Sequence, residues 1–124
     1  MDVTPTVPEG RQLIEGYGDR RFRISGDIHE GSVIVFPDRT VAWPVVNFAE
    51  ITLESLSEVT REDADVDLLL LGCGARMDLV TKAFRQPLRE YGIVLEPMDT
   101  GAACRTFNVL LAEERRVAAA LIAV

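Results

Sequence analysis

The run "VDLLLLG", Val66 to Gly72, constrains this chain more than any other feature. Its apolar residues are continuous after Asp67. A strand with one wet face alternates apolar and polar residues, whereas a strand covered on both faces has no need to. The run is far shorter than the roughly 20 residues a membrane-spanning helix needs. It therefore predicts a buried strand inside a sheet that has other layers above and below it.

The flanking segments fit that plan. "TKAFRQPLREYG" predicts a helix from about Thr81 to Tyr91, stopped by Gly92, with Pro87 inside it imposing a kink or a later start. "GIVLEPM" is the next strand. "TGAACRTFNVLLAEE" is a helix with Thr100 as its N-cap, and Ala103, Phe107, Leu110 and Leu111 form its apolar stripe. The tail "RRVAAALIAV" is open between helix, which Ala favours, and strand, which Val and Ile favour. Strands joined by helices run parallel with right-handed crossovers.

The first half reads differently. "LIEGYG" and "FRISG" are short β-prone runs, with His29 in a turn after them. "EGSVIVFPDRTVAWPV" is a hairpin around "PDRT", its second strand ended or placed at an edge by Pro44. Trp43 and Phe48 read as core packing at the hairpin's end. Thr52 is placed to cap "LESLSEV", where Leu53, Leu56 and Val59 share a helical face. The expected fold class is α/β, a mixed central sheet with antiparallel additions and cover on both faces.

At 124 residues the chain makes one domain. A leader over residues 1–12, rich in Pro and Thr, is expected to be flexible, with the domain spanning residues 13–124. The formal charge is −7, which disfavours nucleic acid, whose binders supply Lys and Arg to phosphates. It equally disfavours an anionic lipid surface. No integral membrane segment and no secretory signal are expected. Cys73 and Cys104 are too few for a disulfide scaffold, and a cytoplasmic location with reduced thiols is the expectation.

Two loops leave the carboxyl ends of the apolar strands, "GCGARM" and "MDTGAACR". In α/β sheets such loops line the usual ligand crevice. If the strands are neighbours, Gly72, Cys73, Gly74 and Arg76 face Asp99, Thr100, Cys104, Arg105, Thr106 and Asn108. Helix N-terminal amides with Arg105 would then suit a small anion. "GCG" is not a dinucleotide fingerprint, however, and Asp99 and Thr100 are ordinary capping residues. Asn108 stands inside a helix, where Asn is unfavourable unless it makes a polar contact elsewhere. Cys104 near a helix N-terminus is a conceivable nucleophile, but the single histidine, His29, is remote in sequence and packing is the simpler role. One His and two separated Cys give no metal-ligand spacing, so no metal and no cofactor are expected.

Taken together, "FRISGDIHEGSVIVFPDRTVAWPV", "VDLLLLGCGARM" and "MDTGAACRTFNVLLAEERRVAAALI" resemble the Mth938-like domain family, a domain of unknown function. That family includes the mitochondrial complex I assembly factor 3 and the adipogenesis-associated Mth938 domain protein. The resemblance covers nearly the whole chain after the leader. It implies a three-layer α/β domain in which the tail from Arg115 is a final strand, and a pocket near Gly72–Gly74 and Asp99–Asn108. The family often carries Thr at the position of Cys73, which argues against a function that needs this thiol. The implied function is that of a non-enzymatic accessory or assembly factor working through a protein partner, as in respiratory complex I assembly. The alternative is a small-molecule or anion-binding protein, an enzyme among the options, using the crevice.

Overall fold

The computed structural model describes residues 10–124. Three strands, β1 (Ile14–Gly18), β2 (Arg21–Ile24) and β3 (Asp27–Glu30), form an antiparallel sheet in that order. Five more, β4 (Val33–Val35), β5 (Thr40–Ala42), β6 (Leu68–Gly72), β7 (Val94–Met98) and β8 (Val117–Leu121), form a second sheet in the order β5-β4-β8-β6-β7. The helices are α1 (Ser57–Thr60), α2 (Lys82–Glu90) and α3 (Thr100–Ala112). β6 runs parallel to β7 and β8, while β4 is antiparallel to both β5 and β8. The sheet is mixed, and the tail is a strand at its centre. That resolves the open choice for "VAAALIAV": between two neighbours, backbone pairing on both sides outweighs the helix propensity of three alanines.

The continuous run behaves as its pattern requires. Leu69 and Leu71 point to one face, into a core with Ala118, Ala120, Trp43, Leu56, Val59 and Leu88. Leu70 points to the other, into a core with Val117, Ala119, Phe22, Ile24, Phe107 and Leu111. One face is thus covered by α2 and the segment around α1, the other by α3 and the small sheet. Each buried leucine contributes about 1.5–3 kcal/mol by removal from water.

Local chemistry explains most of the boundaries. Thr81 caps α2, its Oγ1 accepting from the Phe84 amide at 3.2 Å. The helix starts at Lys82 and passes through Pro87 to end before Gly92, whose φ of 78° suits a glycine stop. Thr52 Oγ1 accepts from the Ser55 amide at 3.1 Å, but the N-cap of the 3₁₀ turn at Glu54–Leu56 that leads into α1 is Leu53, one residue later than expected. Trp43 is buried and its Nε1 donates to the Ser55 carbonyl at 2.8 Å. β5 stops at Ala42, two residues before Pro44.

Two further expectations change. His29 lies on β3, opposite Phe22, and not in a turn. The strand went unread because "DIHE" is mostly polar and all but His29 are exposed. The helix cap at residue 100 also moves by one: Asp99 is the N-cap, its Oδ1 accepting from the Ala102 amide at 2.8 Å, and Thr100 is the first helical residue. The leader expected over residues 1–12 lies outside the described residues up to 9. Gln12 is already tied to the domain, its amide donating to the Pro37 carbonyl at 2.8 Å.

Candidate functional site

β6 and β7 are adjacent and parallel, with Gly72 opposite Met98, so the two loops do emerge at the same end of the sheet. What fills the space between them is backbone and one threonine. The Cys73 amide donates to the Met98 carbonyl at 2.8 Å, and the Thr100 amide donates to the Gly74 carbonyl at 2.9 Å. Thr100 Oγ1 accepts from the Gly74 amide at 3.0 Å and donates to the Ile122 carbonyl at 2.8 Å. Thr100 is fully buried. Gly72 serves this closeness directly. A Cβ there would stand 3.0 Å from Thr100 Oγ1 and 3.0 Å from Leu121 Cδ2, so that any side chain would have to push these neighbours back by a few tenths of an ångström.

The amides at the start of α3 are largely consumed by the chain itself. Thr100 gives its N–H to Gly74, Ala102 gives its own to the Asp99 side chain, and Ala103 bonds the Asp99 carbonyl. The Gly101 backbone lies directly against the Tyr17 phenol, so that a Cβ at 101 would collide with Tyr17 Oη. An anion at this helix end would have to displace these partners.

Arg105 and Asn108 of the expected constellation are directed elsewhere. Arg105 is exposed and its Nη1 lies 3.5 Å from Tyr17 Oη, on the side of the small sheet. Asn108 makes the polar contact its unfavourable position called for: Oδ1 accepts from the Ile14 amide at 3.0 Å and Nδ2 donates to the Ile14 carbonyl at 2.8 Å. It acts as one more rung on β1, joining α3 to the small sheet. Thr106 is half-buried on α3, and Arg76 is exposed in the loop after β6.

The two thiols sit in different cores, Cys73 on the α2 face and Cys104 on the α3 face. Burial pushes Cys104 up from 9.0 to about 12, with Arg105 opposing only in part. Burial also raises Cys73, against backbone amides of Asp78 and Met98 that favour its thiolate. Neither thiol has the lowered pKa that makes a cysteine nucleophilic at neutral pH.

The open space near the glycine loop lies on the α2 side. A cleft of about 720 Å³ is walled by Cys73, Gly74, Val46, Phe48, Ile122 and Arg20. Arg20 reaches it from the turn between β1 and β2, held there because its amide donates to the Val124 carbonyl at 2.8 Å. Asp19 and Arg20 both have positive φ, the geometry of a tight two-residue hairpin turn. Sequence reasoning missed Arg20, since nothing in "GYGDRR" says that this turn crosses to the far end of the chain. It also missed a smaller apolar groove of about 200 Å³ beside Phe48, Leu79 and Phe84. The one available signal for that groove was two large apolar residues, Met77 and Leu79, in an otherwise loop-like stretch.

Known proteins fit this arrangement closely. The family described as protein of unknown function (DUF498/DUF598) matches residues 14–122. The Danio rerio NADH dehydrogenase (ubiquinone) 1 alpha subcomplex assembly factor 3 is 37% identical over 110 residues, covering 89% of this chain and 63% of that protein. This chain thus spans less than two thirds of that relative's length. A crystal structure described as an outer membrane protein from Bartonella henselae superposes with a TM-score of 0.84 at 39% identity, covering 96% of this chain and 99% of that one. The solution structure of a Bordetella pertussis protein described as a Mth938-like domain gives a TM-score of 0.83 at 27% identity, covering 98% of this chain and 92% of that one. With its three layers, its central tail strand and this match over nearly every described residue, the chain belongs to the DUF498/DUF598 family and has the fold of the Mth938-like domain.

Proposed function

We propose that this protein is a non-enzymatic assembly or accessory factor that works by binding another protein, in the assembly of the respiratory NADH dehydrogenase. The observation that carries the reading is the 37% identity, over 89% of the chain, to a protein named as an assembly factor for that enzyme. The site geometry supports it from the other side. Buried thiols with raised pKa and a helix end already engaged by Asp99, Gly74 and Tyr17 offer no assembled nucleophile, base and oxyanion donor set. The reading places the protein in the cytoplasm, where thiols buried on opposite faces of the sheet stay reduced. Deleting the gene in its source and following NADH dehydrogenase by native gels and activity tests it. Stalled subassemblies that the wild-type gene restores are the expected result. Normal assembly, or recovery of the protein with outer membranes on fractionation, would overturn it.

A second reading rests on the cleft of about 720 Å³, a volume within the range of small-molecule sites. In it Arg20 is the cation for a small anion, with Cys73 and Gly74 as one wall and Val46, Phe48 and Ile122 as apolar floor. A thermal-shift screen of carboxylates and phosphates decides it. A ligand present at 100 times its dissociation constant raises stability by about 2.7 kcal/mol, and that rise must disappear in Arg20→Ala.

A further inference from the structure

Leu79 is 84% exposed and Met77 is 54% exposed, both in the loop between β6 and α2. Leu79 also forms one wall of the groove of about 200 Å³, with Phe48, Ile51, Val80 and Phe84 as the others. A site for a drug-sized ligand encloses about 300–1,000 Å³, so this groove suits one or two apolar side chains. A single exposed leucine needs no explanation, but one standing beside an open apolar groove belongs to a patch. Met77, unbranched and adaptable, is the kind of side chain that moulds to a partner.

Charge says which partner. The loop after β6 together with α2, residues 73–90, carries Arg76, Lys82, Arg85 and Arg89 against Asp78 and Glu90, a net +2 (four minus two) in a chain of net −7. Arg85 is spent internally, its Nη1 donating to the Leu95 carbonyl at 2.9 Å. Among the described residues, Arg76, Lys82 and Arg89 make no ion pair. Lys82 stands in the first turn of α2, where the helix dipole disfavours a cation, so its charge does not serve the helix. The acid flanking the far wall, Glu50, is held by the amides of Val46 and Asn47 at 2.7 and 2.9 Å.

We propose that this groove docks an acidic amphipathic segment of a partner protein, its apolar side chains entering beside Leu79 and its carboxylates meeting Arg76 and Lys82. The inference rests on the protein-binding reading above and gives it a surface.

The test titrates the full chain with a labelled helical peptide carrying Leu and Phe at i, i+3, i+4 and i+7 and Glu on its other faces, alongside a twin with Lys for Glu. The acidic peptide is expected to bind and the basic twin not. Binding weakens toward about 1 M salt, where the Debye length falls to about 3 Å. Leu79→Glu, fully tolerable to the fold at this exposure, costs roughly tenfold or more in affinity. The double variant Arg76→Glu with Lys82→Glu loses the acidic peptide and gains the basic one. Equal binding of both peptides, binding of neither, or indifference to Leu79→Glu overturns the proposal. So does a concentration-dependent dimer of the wild type that Leu79→Glu abolishes, which would make the patch a contact between copies. If gene deletion stalls NADH dehydrogenase assembly and chromosomal Leu79→Glu does not, the groove proposal fails and the assembly reading stands. If deletion has no effect while the charge swap holds, the groove stands and the assembly reading fails.

Discussion

Thr100 and Gly74, 26 residues apart, bond to each other twice: amide to carbonyl at 2.9 Å in one direction, and amide to Oγ1 at 3.0 Å in the other. The same hydroxyl donates to the Ile122 carbonyl at 2.8 Å. Gly74 follows β6, Thr100 follows β7 and Ile122 follows β8, so one buried side chain ties the carboxyl ends of three parallel strands. The residue that sequence reasoning places in a ligand crevice is the pin that closes it.

Thr100→Val removes that pin and keeps the shape. It leaves the Gly74 amide and the Ile122 carbonyl unsatisfied in a buried setting, each costing about 1–3 kcal/mol. Urea denaturation should show a loss of about 2–6 kcal/mol, with Thr100→Ser retaining most of the stability because the hydroxyl survives. A loss below about 1 kcal/mol for Val would mean that water or a shifted backbone replaces the hydroxyl.

Gly101 and Tyr17 are coupled, and the effect of Gly101→Ala depends on what stands at position 17. Ala is better than Gly in a helix by about 1 kcal/mol, yet a Cβ at Gly101 collides with the Tyr17 phenol. Tyr17 is 45% exposed, so it yields by swinging away from Arg105. Gly101→Ala should therefore be neutral or destabilising in the wild type and stabilising in a Tyr17→Ala background, and a double-mutant cycle on melting data reads the coupling. Additivity would show that the phenol does not press on the helix.

How far the sequence carried depends on whether a residue's partner lies in its own neighbourhood. β6 was legible because leucines on both faces of one short run admit a single explanation, cover on both sides. The loop glycines were legible for the same local reason. The final strand was not legible, because Ala118–Ala120 owe their conformation to pairing with β4 and β6, and no property of alanine announces it. The candidate site divided along the same line. Asp99, Thr100, Gly72 and Gly74 come together through adjacent strands, whereas Arg105 and Asn108 turn toward Tyr17 and Ile14, 88 and 94 residues away. Helical spacing fixes the face a side chain occupies and leaves open what is packed there.

Asn108 offers the most direct test of how the small sheet is held. Its side chain satisfies both the amide and the carbonyl of Ile14. Asn108→Leu fits the apolar stripe of α3 but strands both groups, at about 1–3 kcal/mol each. Amide exchange should rise over β1 and β2 far more than over β6 or β8, because the loss is local to the docking of one sheet. Uniform acceleration across the molecule would instead place the clamp in the global unfolding step.

Cys104 makes stability depend on alkaline pH, and the sign can be worked out. Burial raises its thiol from 9.0 to about 12, so above about pH 9 the unfolded chain releases a proton that the folded chain keeps. The unfolded state then binds fewer protons, and unfolding free energy falls as pH rises. The contribution is fully present below about 9 and is lost at about 1.4 kcal/mol per unit up to about 12. Cys104→Ala removes this linkage, so its stability should fall less steeply than that of the wild type between about pH 9 and 11, whatever offset the lost sulfur introduces at neutral pH. Parallel curves for the two proteins from urea melts would show that Cys104 titrates alike in both states, against what its burial on the core face of α3 with Phe107 and Leu111 leads one to expect.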